Sequence, residues 1–280
     1  MSISVEINLP KGAEVKPVEL IPEGLEFGEY GENYILREAA ADSSSIIVYD
    51  PNKIGRGIMI DKDNDKLTLE MAAVTGPEEI KLYYSIIRNI CERFGIAVFS
   101  LNDQLASPKE IENYIKHDIE NAEAGLIIFT TKLEHGEEKY LTVFGAMNPI
   151  AVGLKDLRSI GADAEKFGDF IHEKQSVNAY YAGPQLYSNP EDGSLLGIYP
   201  FQADTYSIMP YEPIKPFYLE EEVGKWMVYL YVSDDMYGYI PFEVFSKHVK
   251  DLGRYDETHY FCEVNKYQAR GLIADHAVEM

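Results

Sequence analysis

Apolar side chains recur along this chain with two different periods, and the switches between them mark out strands and helices. From Gly57 to Ala72 the run GIMIDKDNDKLTLEMA alternates apolar and polar positions on either side of Asp63, Asn64 and Asp65. Those three residues tolerate left-handed backbone angles, so the run predicts a β-hairpin. Upstream, ISVEINL and SSIIVY predict strands in an otherwise Gly- and Pro-broken stretch. Downstream the period lengthens: Ile80, Tyr83, Tyr84, Ile87, Ile90, Cys91 and Phe94 fall on one helical face. Thr75 followed three residues later by Glu78 is a capping arrangement for that helix. Pro77 occupies the first turn, where its missing N–H costs nothing, and Gly95 ends the helix. IAVFSL predicts the next strand, and Ser107 with Glu110 repeats the cap ahead of a second helix carrying Ile111, Tyr114, Ile115 and Ile119. LIIFTT and KYLTVFG then read as two strands around the turn LEHGEE.

Residues 153–161 predict a domain boundary or a bend, and a helix follows from Asp163 through Phe167, Phe170 and Ile171. The remainder is richer in strands: NAYYAGPQLY, the turn SNPEDGS, LLGIYPF, KWMVYLYV and THYFCEV. A helical segment from Pro241 to Leu252 places Phe242, Phe245, Val249 and Leu252 on one face, and the tail after Lys266 reads as loosely held. No period of 20 to 50 residues is present, which disfavours repeat architectures. The pattern predicts an α+β fold with mostly antiparallel or mixed sheets and helices on one face. It divides into two packed subdomains, 1–155 and a strand-rich, Tyr- and Pro-rich 156–280, with one continuous domain as the alternative.

Charge narrows the function classes. The 280 residues carry 25 Lys plus Arg against 47 Asp plus Glu, a net charge of −22. Residues 1–155 hold 26 acids and 15 bases and residues 156–280 hold 21 and 10, so each half stands at −11. Such diffuse acidity repels phosphate backbones and argues against nucleic-acid binding, while leaving a basic protein partner open. Cys91 and Cys262 each sit in apolar surroundings, which predicts buried thiols in a reducing compartment. With no leader pattern and no apolar run near the ~18 residues of a membrane span, the expectation is a cytoplasmic protein without a membrane partner.

Motifs with chemistry are few. The pair Gly55 and Gly57 leads into a strand without the Lys-Ser/Thr of a phosphate loop. Asp61, Asp63 and Asp65 alternate as in a calcium loop, but Lys66 stands where that loop needs glycine and Ala72 where it needs glutamate. His117, His135, His172, His248, His259 and His276 are scattered singly, without metal-ligand spacing, and read as surface or helix-end residues. No G-x-S-x-G elbow occurs. No catalytic, cofactor or metal residue is therefore assigned.

Aromatic density is the remaining signal. Eleven of the 21 tyrosines lie between Tyr180 and Tyr239, beside the single tryptophan, Trp226. Tyrosines serve both cross-strand pairs and recognition surfaces. The candidates for an interaction surface are Tyr206, Tyr211, Tyr218, Asp234 and Asp235. PYEPIKP, with prolines at 210, 213 and 216, predicts a rigid extended crossing between strands, and the PFY at its end predicts burial.

The segments TGPEEIKLYYSIIRNICERFG, GLIIFTT, GIYPFQADTYSIMPYEPIKPF and KWMVYLYV together resemble an uncharacterised bacterial family, the domain of unknown function numbered forty-two ninety-nine. The resemblance spans most of residues 50–250 and implies a fold; it brings no catalytic or ligand residues. The leading expectation is a non-catalytic binding protein for a basic partner, as acidic immunity proteins are for nuclease toxins. The alternative is an enzyme whose site assembles from residues remote in sequence.

Overall fold

The computed structural model describes residues 2–188 and 193–279, and the chain divides into two compact units, Met1–Ser176 and Val177–Met280. The first contains β1 (Ser2–Asn8), β2 (Glu26–Tyr30), β3 (Leu36–Arg37), β4 (Ser45–Tyr49), β5 (Ile58–Asp63) and β6 (Lys66–Ala72). Helix α1 (Pro77–Phe94), the short hairpin β7 (Phe99–Leu101) and β8 (Gln104–Ala106), and helix α2 (Ile111–Glu134) follow. A second hairpin, β9 (Leu141–Phe144) and β10 (Pro149–Val152), leads into α3 (Leu154–Ile160) and α4 (Ala164–Gln175). The bend at residues 153–161 thus lies inside this unit, where Gly153 caps α3 and Gly161 ends it.

Eight strands form one antiparallel sheet in the order β3-β2-β4-β5-β6-β1-β7-β8. The alternation seen in the sequence is what builds its buried face. Ile46, Ile60, Leu69 and Val5 stand opposite one another across four strands, all buried. Helix α1 covers that row with Ile80, Tyr83, Tyr84, Ile87 and Ile90. Each such side chain contributes about 1.5–3 kcal/mol on leaving water, which explains why this period was so legible. The hairpin turn is also as predicted, with Asn64 at φ 52°.

Three expectations for this unit are corrected. Thr75 does not cap α1: Gly76 does, and the Thr75 hydroxyl instead bonds the Glu79 carboxylate, which faces the chain interior. IAVFSL contributes only β7, and Val98 is exposed. LIIFTT is not a strand, because α2 continues through it to Glu134. Its buried face runs Ile111, Asp118, Ala122, Gly125, Leu126 and Leu133, at helical spacing, while Ile127 and Ile128 point outward. Gly125 permits this approach: a Cβ there would lie 2.3 Å from Val74 Cγ2. KYLTVFG therefore pairs with β10 and not with LIIFTT.

The second unit contains β11 (Tyr180–Tyr181), β12 (Gln185–Ser188), β13 (Leu195–Gln202), β14 (Ser207–Pro210), β15 (Val223–Ser233) and β16 (Met236–Pro241). After these come α5 (Phe242–His248), β17 (Gly253–Arg254), β18 (His259–Cys262) and α6 (Lys266–His276). Two four-stranded mixed sheets result, β12-β13-β15-β16 and β11-β14-β18-β17, with β13/β15 and β11/β14 as the parallel pairs. They share one core of Tyr199, Phe201, Met209, Val228, Leu230, Phe245, Tyr260 and Cys262, among others. The architecture of the chain is α+β.

Here too the structure differs from expectation. The tail is a helix: Asn265 caps α6 by accepting the Gln268 N–H, Gln268 reciprocates, and Ala269 and Leu272 are buried. Leu252 lies beyond α5 and is exposed. The PYEPIKP stretch is an irregular crossing from β14 to β15, as read, but Phe217 and Tyr218 at its end are 59% and 51% exposed instead of buried. Most of the turn SNPEDGS lies outside the described residues.

Candidate functional site

The five residues expected at an interaction surface occupy four separate places in the second unit. Asp234 and Asp235 form the exposed turn between β15 and β16, where the Tyr231 hydroxyl donates to Asp234 Oδ1 at 2.7 Å. Tyr218 precedes β15, whose 11 residues separate it from that turn. At ~3.3 Å rise per residue this strand spans roughly 35 Å, so Tyr218 and the two aspartates share no patch. Tyr206 and Tyr211 flank β14 and stack on neighbouring residues of β18, Tyr206 on Phe261 (5.1 Å, 10°) and Tyr211 on Tyr260 (4.9 Å, 26°). Adjacent strand residues face opposite ways, so these two tyrosines lie on opposite faces of their sheet.

The crossing that carries Tyr218 is held rigidly. Pro213 and Pro216 restrict its backbone. The buried Tyr199 hydroxyl receives the Ile214 N–H at 2.9 Å and donates to the Ile214 carbonyl at 3.3 Å. Beyond that clamp, Phe217 and Tyr218 meet edge to face at 5.7 Å, and the exposed Glu220, Glu221 and Glu222 follow. Lys215 Nζ reaches the Glu220 carbonyl at 3.1 Å and Glu222 Oε1 at 3.3 Å, closing the segment on itself. The crossing thus presents an exposed aromatic pair beside three glutamates, tied to the core through Ile214.

A second cluster was invisible to sequence reading. His259 on β18 is buried, and its Nδ1 lies 3.0 and 3.2 Å from the two oxygens of Asp256. The buried Asp256 carboxylate also accepts the N–H groups of Thr258 and His259, both at 2.8 Å. A carboxylate has no proton to offer, so in the neutral ring Nδ1 carries the hydrogen and Nε2 is left as an acceptor. Tyr181 on β11 places its hydroxyl 3.0 Å from that Nε2. The DETH stretch, with its i, i+3 Asp and His, was the local signal available; Tyr181, 78 residues away, had none. The reading of His259 as a surface residue is thereby corrected. His248 and His276 are not isolated either, their rings standing 4.9 Å apart.

The glycine pair of the first unit has a structural role. Gly57, at φ 85°, turns the chain so that the N–H groups of Arg56 and Gly57 point at Glu79, 3.0 and 2.7 Å away. This backbone nest is occupied by the protein's own carboxylate. Arg56 sends its guanidinium to the carbonyls of Phe144 and Val74, while Tyr30 donates to the Arg56 carbonyl. Burial pushes the Arg56 guanidinium down and the Glu79 charge opposes that shift. His172 Nδ1 accepts the Ile54 N–H, and Lys53 pairs with Asp169. The clefts beside this loop, of about 30 and 10 Å³, are of water size.

Both cysteines are buried free thiols, and burial pushes Cys91 up to about 11 and Cys262 up to about 12. Among the described residues, no group of three or more His, Cys, Asp or Glu is placed to hold a metal ion. No helix of the described residues is long and apolar enough to cross a membrane.

The sequence profile of the family described as Domain of unknown function (DUF4299) matches residues 2–271. The chain belongs to this family. The DUF4299 match extends over both units and beyond the stretch that first suggested it. No curated protein and no solved structure is similar to the chain.

Proposed function

We propose that this DUF4299 protein is a cytoplasmic binding protein that engages a basic protein partner through the crossing between β14 and β15. The observation that carries the reading is the Phe217–Tyr218 pair, more than half exposed on a segment clamped by Tyr199 and bordered by three glutamates. Large aromatics in a rigid setting lose little entropy when buried against a partner, which is why such residues dominate binding energy at interfaces. The acidic border and the net charge of −22 favour a cationic rim around the partner's apolar cleft. The same charge disfavours nucleic acid.

The test is capture from a lysate of the protein's own cells at low salt, followed by elution with increasing salt. A partner of basic composition that leaves as ionic strength rises supports the reading, because screening weakens charge pairing. Binding indifferent to salt contradicts it. A second reading, an enzyme with a dispersed site, is favoured by one observation: the convergence of Asp256, His259 and Tyr181.

A further inference from the structure

The order carboxylate, imidazole, hydroxyl at Asp256, His259 and Tyr181 is the order by which hydrolases turn a weak nucleophile into a reactive one. Each link has hydrogen-bond length, and the Thr258 hydroxyl also stands 3.0 Å from His259 Nδ1. Asp256 fixes the Nδ1 hydrogen, so the unprotonated Nε2 faces the phenol. Asp256 is itself immobilised by the Thr258 and His259 N–H groups, and the Thr258 hydroxyl stands 3.3 Å from its Oδ1. Tyr181 remains partly exposed while the groups behind it are buried. The same sheet face carries Tyr206 stacked on Phe261, an aromatic floor near the phenol: Tyr181 pairs with Ile208 and Ile208 with Phe261 across adjacent strands.

We propose that Tyr181 is a base-assisted nucleophile, with His259 as its general base and Asp256 as the positioning residue, and that its substrates are acyl-type electrophiles. In the step, Tyr181 Oη bonds to the carbonyl carbon of an activated ester while its proton passes to His259 Nε2. The bond from that carbon to the leaving oxygen breaks, and the imidazolium returns the proton to the departing alcohol. Asp256 keeps its charge throughout and stabilises the imidazolium. The inference goes beyond the binding reading and stands or falls apart from it, since Tyr181 lies on β11 and not on the crossing.

The probe is 4-(2-aminoethyl)benzenesulfonyl fluoride, whose ammonium suits an acidic protein and whose sulfur accepts a phenol oxygen as fluoride leaves. The full-length protein is treated at neutral pH and the labelled peptides are quantified over time. Tyr267 is the internal control, being 88% exposed. Tyr181 should be sulfonylated at least tenfold faster than Tyr267, at the low end of the ~10²–10⁴ that a positioned base supplies. His259→Gln should reduce the ratio to about one and Asp256→Asn should reduce it severalfold. The fully buried Tyr83 and Tyr199, when they stay unlabelled, certify that each variant is folded. Labelling of Tyr181 no faster than Tyr267 in the wild-type protein overturns the proposal without recourse to any variant. So does an excess that survives in folded His259→Gln.

Discussion

Glu79 shows how a single side chain decides a local structure. Its carboxylate takes two backbone N–H groups and the Thr75 hydroxyl, and it supplies negative charge near the half-buried Arg56. Glu79→Gln keeps the shape and removes the charge that the backbone N–H groups of Arg56 and Gly57 and the Thr75 hydroxyl bond to. The expected loss is about 1.5–3 kcal/mol, read as a lower urea midpoint at unchanged slope. A variant as stable as wild type would mean that the nest does not need an anion. Asp256 and His259 stand i, i+3, but from the sequence His259 reads only as an isolated surface or helix-end histidine. Tyr181 was not legible either, because a contact made across a parallel strand pair leaves no local spacing to read. The capping motif at Thr75 misled for a related reason: a serine or threonine three residues before a glutamate fits a cap, but Glu79 offered Thr75 a closer acceptor.

Among elements, α1 and the β5–β6 hairpin were readable because one face of each is buried almost continuously, so the period survives in the sequence. LIIFTT was misread since a short apolar run has no period of its own, and only the helix already under way at Ile111 sets its conformation. Its two threonines fit that helix by donating to carbonyls four residues back, Thr130 to Leu126 and Thr131 to Ile127. Gly125→Ala tests the packing. In an open helix the change would stabilise by about 1 kcal/mol, but here the new methyl would meet Val74, and a net loss of about 1–3 kcal/mol is expected in thermal or urea unfolding. A gain would show that α2 does not approach Val74 so closely. Helix α6 was missed because its buried stripe is narrow, Ala269 and Leu272, and its cap is an Asn–Gln pair instead of the commoner Ser/Thr–Glu.

Over the whole molecule, the α+β class was accessible from element mixture alone, whereas the exposure of Phe217 and Tyr218 could not be read from residue type. Apolarity predicts burial on average, and departures from that average are where function concentrates. Burial also sets a global pH dependence. Cys91 and Cys262 titrate at about 11 and about 12 in the folded chain against 9 for an open thiol. The folded state therefore holds protons that the unfolded state releases, so the stability they contribute is complete below pH 9 and is lost as pH rises toward 12. Melting temperature should fall from pH 9 upward, and a thiol reagent at pH 8 should find neither cysteine until denaturant is added. Rapid modification of either thiol in the native protein would contradict this.

The central claim is that the crossing after β14 is a preformed docking element. The most direct measurement is the affinity of the salt-eluted basic partner for full-length protein carrying Phe217→Ala and Tyr218→Ala together. Both side chains are exposed, so the fold should be unaffected. The claim predicts a loss of at least 2 kcal/mol, about thirtyfold in Kd, with melting temperature unchanged. An unchanged Kd in a normally folded double variant would contradict it.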